Sequence, residues 1–277
     1  MFIPFFTCGD PNIETTAQCI HAAVKAGAGI VEIGIPFSDP TAEGPVIQAA
    51  SLRALNNGMT TNLAFETVRK VRDTYGVAVP ICFMTYANVV FSYGAANFAA
   101  CCAEVGVQGV ILPDLPFEER EEFLEVFDAY GIALISLIAP TSAGRIAMIA
   151  REARGFIYLV SSLGVTGIRT QITTDLDEIV RVVRENTDVP CAIGFGISTP
   201  EQAHTMSRKA DGVIVGSAIV KLIQEHCAEA PKYVGEYAAR MTEAIFSAKV
   251  IVKPAAAFGA LIFRNSNLAV FAINKLV

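Results

Sequence analysis

Short apolar runs recur along the whole chain and dominate its pattern of hydrophobic and polar positions. Eight of them are rich in β-branched residues, and most are bounded by Gly or Pro, which is typical of buried strands. The predicted strands are Phe2–Phe6, Ile30–Ile33, Val79–Met84, Gly109–Leu112, Ala133–Ile138, Phe156–Val160, Val189–Ile193 and Gly212–Val215.

Between these runs, apolar residues recur at helical spacing. The predicted helices are Ile13–Ala26, Leu63–Tyr75, Ala95–Val105, Phe117–Tyr130, Arg145–Ala153, Leu176–Glu185, Glu201–Lys209 and Pro231–Ala248. This alternation of strands and helices predicts a single-domain (β/α)8 TIM barrel over residues 1–248. An open doubly wound sheet is the alternative, but it needs a Gly-rich phosphate loop after its first strand, and Thr7–Asp10 does not form one.

The composition narrows the class of protein. Of the 277 residues, 53% are hydrophobic and 17% are charged, which favours a large core of buried strands. The net charge is −6 and no basic stripe is visible, so we expect no nucleic-acid partner. Isolated histidines and scattered cysteines indicate no metal site and a reducing, cytoplasmic environment. We find neither a secretion signal nor an apolar run long enough for a membrane span.

Two acids follow one another near the second predicted strand. Glu32 lies inside the apolar run Ile30–Ile33, and Glu43 lies in the next loop, between Pro and Gly residues. Because burial disfavours a charged carboxylate and raises its pKa, an acid in a buried strand suits proton transfer. The alternative is that Glu32 ends a strand and pairs with Lys or Arg. In a barrel, both acids would lie at the carboxyl ends of the strands, where active sites are built.

Glycine-rich segments follow the last predicted strands. Gly194–Gly196 ends the seventh strand, and Gly216 and Ser217 end the eighth and begin a helix. Barrels often bind phosphate at these two strand ends through backbone N–H groups, although the glycines could also serve only to relieve turn strain. The segment Ser161–Arg169 is small, polar and rich in glycine, which predicts a mobile lid, with a plain surface loop as the alternative.

Seven motifs in a fixed order connect the chain to a known family. They are FxPFxTxGDP (Phe2–Pro11), VEIGIPFSDP (Val31–Pro40), MTYANVVF (Met84–Phe91), PDLPFEE (Pro113–Glu119), SSLGVTG (Ser161–Gly167), GFGIS (Gly194–Ser198) and GSAIVK (Gly216–Lys221). Because of these seven motifs and their order, the chain resembles the tryptophan synthase α subunit family over roughly residues 2–248.

The resemblance implies cleavage of indole-3-glycerol phosphate to indole and glyceraldehyde 3-phosphate in L-tryptophan biosynthesis, with no metal or organic cofactor in this subunit. By position, Glu32 matches the family's general acid/base. Glu43 stands where the family has an Asp that accepts the indole N–H, and Tyr158 matches a tyrosine near the bond that breaks. The implied indole pocket contains Phe5, Tyr86 and Phe195, and the implied phosphate cradle contains Gly167, Gly196, Gly216 and Ser217.

The resemblance also implies a protein partner. The family's α subunit docks on a β subunit that carries pyridoxal phosphate, in an α2β2 heterotetramer, and indole passes between them. Residues that match positions at or near this contact are Asp39, Pro40, Asn88 and Asp114.

The chain departs from the family pattern in three places. Glu43 is one methylene longer than the family's Asp, and a misplacement of about 1 Å can cost on the order of a hundredfold in rate, so we expect a compensating shift of the loop. We also expect the chain to lack the short helix that the family has before the first strand. Residues 249–277 form an apolar C-terminal extension that does not resemble the family, and we hypothesise that it covers the bottom of the barrel in place of that helix. An exposed extension is the alternative.

Two other functions stay open at this point. The first is a catalytically weak α-like subunit that binds ligand and regulates a β partner, which the longer Glu43 would permit. The second is an isomerase or epimerase of a sugar phosphate. Such enzymes usually carry Lys, Asp or metal-binding His at the strand ends, and the sequence shows no such set.

Overall fold

A single sheet of parallel strands forms the centre of the computed structural model, which describes residues 1–160, 176–194 and 196–248. Within these residues the strands are β1 Phe2–Thr7, β2 Val31–Gly34, β3 Ile81–Met84, β4 Gly109–Ile111, β5 Ala133–Leu134, β6 Ser136–Ile138, β7 Ile157–Val160, β8 Cys191–Gly194 and β9 Gly212–Val215. Their order is β5-β4-β3-β2-β1-β9-β8-β7-β6. β1 therefore joins the two halves of the sheet by pairing with both β2 and β9.

The predicted fifth strand is divided in two by Ile135. β5 pairs with β4, whereas β6 pairs with β7. The N–H of Ile135 donates a hydrogen bond of 2.9 Å to the carbonyl oxygen of Val110 and ends the pairing with β4. Because β5 and β6 are consecutive in the chain but lie at opposite ends of the sheet order, this interrupted strand closes the barrel. The prediction of a (β/α)8 barrel is thus confirmed, with the fifth strand position shared between β5 and β6.

Helices surround this sheet. In the described part of the chain they are α1 Ile13–Lys25, α2 Pro45–Asn56, α3 Thr61–Asp73, α4 Ala87–Tyr93, α5 Ala95–Val105, α6 Glu121–Ala129, α7 Ala143–Arg151, α8 Leu176–Asn186, α9 Pro200–Ser207, α10 Ser217–His226 and α11 Ala230–Ser247. None of the helices among these residues is long and apolar enough to cross a bilayer.

Two helices near the site, α2 and α4, were not predicted. The buried positions of α2 include Ala50, Ser51 and Ala54, which are small and weakly apolar, so the sequence lacks a strong helical stripe there. α4 spans only seven residues. The predicted helix Phe117–Tyr130 was too long, because its first turn is a separate 3-10 turn at Phe117–Glu119.

Alternate residues of each strand face the barrel interior. Interior positions include Ile3 and Phe5 on β1 and Cys82 and Met84 on β3, which belong to one buried cluster. Glu32 is the register partner of both Phe5 and Cys82. Since register partners in a parallel sheet point to the same face, the Glu32 side chain enters an apolar interior.

Two interior positions are glycines that leave room for aromatic rings. A Cβ atom on Gly34 would lie 2.5 Å from Cζ of Phe5, and one on Gly194 would lie 2.5 Å from the hydroxyl oxygen of Tyr158. Carbon atoms do not pack at such distances, so these rings occupy space that any other residue at 34 or 194 would fill. The two glycines therefore shape the upper part of the barrel interior.

Candidate active site

Glu32 is the most buried acid of the candidate site. Its residue surface is 1% exposed, and neither carboxyl oxygen has a hydrogen-bond partner among the described residues. Burial, and after it the negative charge of Glu43, raise the pKa of Glu32 to about 8. The carboxyl group thus holds a proton near neutral pH and is poised to donate it. The alternative reading, a strand-ending acid paired with Lys or Arg, finds no support in the described ion pairs.

Glu43 directly precedes Gly44, the N-cap of α2, and its carboxylate accepts a hydrogen bond from the hydroxyl of Tyr86. The same hydroxyl oxygen accepts a hydrogen bond of 3.0 Å from the backbone N–H of Ala42. Burial raises the pKa of Glu43, the hydrogen bond from Tyr86 opposes this rise, and the negative charge of Asp114 adds to it. The structure therefore brings together two residues that the sequence assigned to separate tasks, catalysis and the indole pocket.

The segment that carries Glu43 is anchored at both ends of α2. Pro45 occupies the first turn of the helix, and Nε2 of Gln48 donates a hydrogen bond of 2.7 Å to the Glu43 carbonyl oxygen. One turn from the other end, Nε and Nη2 of Arg53 donate to the two carboxylate oxygens of Asp10 at 2.9 and 2.8 Å. Asp10 is buried in the loop after β1, so this pair fixes α2 against the barrel. Sequence reasoning missed Gln48 and Arg53 because α2 itself was not predicted.

Tyr158 and Phe5 complete the interior side of the site. Tyr158 lies on β7 and is buried; burial raises its pKa well above the usual value, and the negative charge of Glu32 raises it further. The ring of Phe5 lies between Gly34 of β2 and the residue that follows β9, because a Cβ on Gly216 would be 3.4 Å from the ring. Phe5 and Tyr158 thus line the same interior as Glu32.

The predicted phosphate residues lie at the ends of the neighbouring strands β8 and β9. Gly216 is the N-cap of α10 without a side-chain capping bond, and Ser217 begins the helix. A helix start of this kind presents backbone N–H groups and the positive end of the helix dipole. Gly196 adopts a left-handed conformation with φ of +85° after β8. Gly167 of the predicted phosphate cradle, Phe195 of the predicted indole pocket and the predicted lid Ser161–Arg169 lie outside the described residues.

The predicted partner-contact residues follow the neighbouring strands β2, β3 and β4: Asp39, Pro40 and Asp114 lie on loops, and Asn88 lies in the first turn of α4. Asp39, Asn88 and Asp114 are exposed, and Pro40 is half-buried. The Asp114 carboxylate accepts a hydrogen bond of 3.0 Å from the backbone N–H of Ala87, the first residue of α4. Phe91, which sequence reasoning did not single out, is 53% exposed one turn after Asn88. Its ring centroid lies 4.7 Å from that of Phe123, so the part of the ring that stays exposed adds an aromatic surface beside these polar groups.

In the described part of the chain, no group of three or more His, Cys, Asp or Glu side chains is arranged to hold a metal ion. The groups that the described site offers for chemistry are two buried carboxyl groups, the hydroxyls of Tyr86 and Tyr158, aromatic side chains and the N-terminus of α10.

Sequence comparison identifies relatives along almost the whole chain. Residues 1–248 match the family model described as tryptophan synthase alpha chain. The tryptophan synthase alpha chain of Lacticaseibacillus casei is 48% identical over 251 residues, which cover 91% of this chain and 94% of the relative. That of Lactiplantibacillus plantarum is 52% identical over 245 residues, which cover 88% and 92%.

Solved structures lead to the same family. Tryptophan synthase subunit alpha from Legionella pneumophila superposes with a TM-score of 0.78 at 36% identity, over 89% of this chain and 93% of that chain. A chain of the tryptophan synthase complex from Pyrococcus furiosus has a TM-score of 0.77 at 35% identity, over 87% and 97%. The chain belongs to the tryptophan synthase alpha chain family, the lyases of the α reaction in tryptophan biosynthesis.

Proposed function

We propose that this chain cleaves indole-3-glycerol phosphate into indole and glyceraldehyde 3-phosphate by a retro-aldol reaction. The observation that carries the proposal is the place of Glu32, an acid buried inside an apolar barrel with no hydrogen-bond partner in the described residues, where burial raises its pKa. The reaction needs a proton on the indole carbon that bears the side chain, and Glu32 supplies it.

In this reaction Glu32 gives one proton to the substrate and takes one back. Protonation of the ring carbon places positive charge on the indole nitrogen, and the Glu32 carboxylate then takes the proton of the neighbouring side-chain hydroxyl. As the carbonyl of glyceraldehyde 3-phosphate forms, the carbon–carbon bond breaks and its electron pair returns to the ring. Glu32 ends the cycle protonated, so one residue acts as both acid and base.

Glu43 has the complementary task in this proposal. Its carboxylate accepts the indole N–H and stabilises the positive charge that develops on the ring, which requires that it be ionised. The hydroxyl of Tyr86 favours the ionised form by donating a hydrogen bond to it. Tyr158 lies near the bond that breaks.

The other site residues bind the two ends of the substrate. Phe5, Tyr86 and Phe195 enclose the indole ring. Gly167, Gly196, Gly216 and Ser217 hold the phosphate, which the uncapped start of α10 supports because its N–H groups attract anions. The proposed barrel unit ends at residue 248, where the family match also ends.

We further propose that the exposed rim of Asp39, Pro40, Asn88 and Asp114 docks on a β subunit. Phe91 supports this, because an exposed aromatic ring gives such a rim an apolar anchor. In this proposal the chain needs no cofactor of its own, and pyridoxal phosphate belongs to the β subunit.

Release of indole from indole-3-glycerol phosphate, measured with and without a β subunit, tests the function. We expect turnover by the wild-type chain, faster turnover with the partner, and a loss of at least about a hundredfold in Glu32→Gln. Full activity in Glu32→Gln would overturn the role of this acid. A chain that binds the substrate but turns it over in neither condition would instead be a weak, regulatory α-like subunit.

A further inference from the structure

A cavity lies outside the proposed active site, where the barrel wall is interrupted. β4 pairs with β5 only as far as Val110 and Leu134, and β6 pairs with β7 on its other side. After the Ile135 hydrogen bond, the described strands β4 and β6 are not paired with each other. A cavity of about 220 Å³ opens there, between this gap and the helices α6 and α7.

Apolar side chains form most of the cavity wall. They come from the loop after β4, from α6 and from α7, and include Leu115, Pro116, Leu124 and Ile149. An apolar protein cavity of about 150 Å³ is large enough to hold benzene. The space beside Ile135 therefore accommodates a single aromatic ring with a small substituent.

Arg120 places a guanidinium group at one end of this apolar space. The residue is 8% exposed, and its guanidinium group lies 3.9 Å from the centroid of the Phe117 ring. Its Nη2 donates a hydrogen bond to Glu152, and its Nε lies 3.8 Å from a carboxylate oxygen of Glu121. That second distance is too long for a hydrogen bond, so the described contacts give the Nε–H and Nη1–H groups of Arg120 no protein acceptor.

The side chains of the other two arginines at the cavity are more exposed than that of Arg120, and each is paired with an acid. Arg145 donates two hydrogen bonds to Glu118, and Arg154 forms an ion pair with Asp128. The Glu152 carboxylate is half-exposed and faces Arg120. Arg120 is thus the buried guanidinium of the cavity wall that has donors to spare, and a carboxylate is the planar acceptor that fits a guanidinium fork.

We propose that the cavity beside Ile135 is a binding site for a small aromatic carboxylate. The ring fills the apolar space and extends the stack of Phe117 and Arg120, while the carboxylate accepts hydrogen bonds from Arg120. The site is separate from the carboxyl groups of the proposed active site and does not depend on the reaction assigned to them.

Calorimetric titration with benzoate and with the neutral benzyl alcohol tests this site. We expect benzoate to bind the wild-type chain with a dissociation constant on the order of 1 mM. Arg120→Met should weaken benzoate at least about tenfold and leave benzyl alcohol nearly unchanged, because only the carboxylate uses the guanidinium. Leu124→Phe should weaken both probes by filling the space.

Arg151→Met is the matched control, because Arg151 is exposed on α7 and bonds to Asn186 outside the cavity. It should leave benzoate binding unchanged. Hydrogen exchange locates the site: benzoate should slow exchange in α6 and α7. Absence of binding, equal losses in Arg120→Met and Arg151→Met, or protection confined to other elements would each overturn the proposal.

Discussion

The hydroxyl of Tyr86 donates a hydrogen bond to the buried carboxylate of Glu43 and accepts one from the backbone N–H of Ala42. Tyr86 is the N-cap of α4, whereas Glu43 directly precedes the N-cap of α2. The bond therefore connects the loops after β2 and β3, and it fixes the longer acidic side chain that stands where the family has Asp. This supports the expected compensation in the Glu43 loop, which stays a prediction until activity is measured.

Removal of the Tyr86 hydroxyl is the first test of this pair. In Tyr86→Phe the Glu43 carboxylate loses its donor but stays buried, so its pKa rises further. We expect kcat/KM to fall about tenfold and its acidic limb to move to higher pH, because the reaction needs ionised Glu43. Tyr93→Phe is the control, since the Tyr93 hydroxyl bonds to Asn62 away from the site. If the pH profile did not shift, the Tyr86 hydroxyl would have no influence on the ionisation of Glu43.

Shortening the acid tests the compensation itself. Glu43→Asp withdraws the carboxylate from the Tyr86 hydroxyl by one methylene, so we expect equal or lower turnover than in the wild type. Steady-state kinetics with indole-3-glycerol phosphate measure this. Undetectable wild-type turnover that Asp restores would show that the loop has not compensated.

The burial of Glu32 predicts how stability changes with pH. Its pKa is raised from 4.5 to about 8, so the folded chain keeps a proton that the unfolded chain has lost across this range. The wild type should therefore lose stability as the pH rises through that interval, by up to roughly 1.4 kcal/mol per pH unit relative to Glu32→Gln. Urea unfolding at several pH values measures the difference, and exposed Glu122→Gln is the control. A difference between wild type and Glu32→Gln that does not vary with pH would contradict the raised pKa.

Gly194→Ala tests the space behind Tyr158. The added methyl group would lie 2.5 Å from the Tyr158 hydroxyl oxygen, so the ring must move out of its place. We expect a loss of activity of at least about tenfold and destabilisation of roughly 1–3 kcal/mol, by assay and thermal melt. Gly144→Ala is the matched control, because nothing lies within 4 Å of its added methyl group. Wild-type activity in Gly194→Ala would show that the ring position does not matter for the reaction.

The apolar segment 249–277 lies outside the described residues, and its proposed role as a cover for the barrel bottom stays a prediction. A chain that ends at Ala248 should have a lower melting temperature and aggregate more readily, because it would expose the apolar surface that the segment covers. Differential scanning calorimetry and light scattering compare the two chains. An unchanged melting temperature would contradict the proposal that the segment covers the barrel bottom.

The strand pattern predicted the barrel and the position of Glu32, because a charged residue inside a β-branched run is visible in the sequence itself. The bond from Tyr86 to Glu43 was not predictable in this way, since it depends on how two separate loops approach each other. The anchor of Arg53 on Asp10 was missed for a related reason: α2 buries mainly small residues and lacks a strong apolar stripe. The interruption at Ile135 has no local signal either, because Ala133–Ile138 is an unbroken apolar run apart from Ser136.

Gly34 and Gly194 restrict which substitutions the proposed site can accept. Every single-nucleotide change that replaces a glycine adds a side chain, and at these two positions the added atoms would meet Phe5 or Tyr158. A side chain at either glycine would fit only if the neighbouring ring were smaller, and both rings have a place in the proposed site. A substitution of either glycine would therefore be accepted only after the neighbouring ring had been replaced by a smaller side chain. In this way two residues without a side chain set the width of the barrel interior.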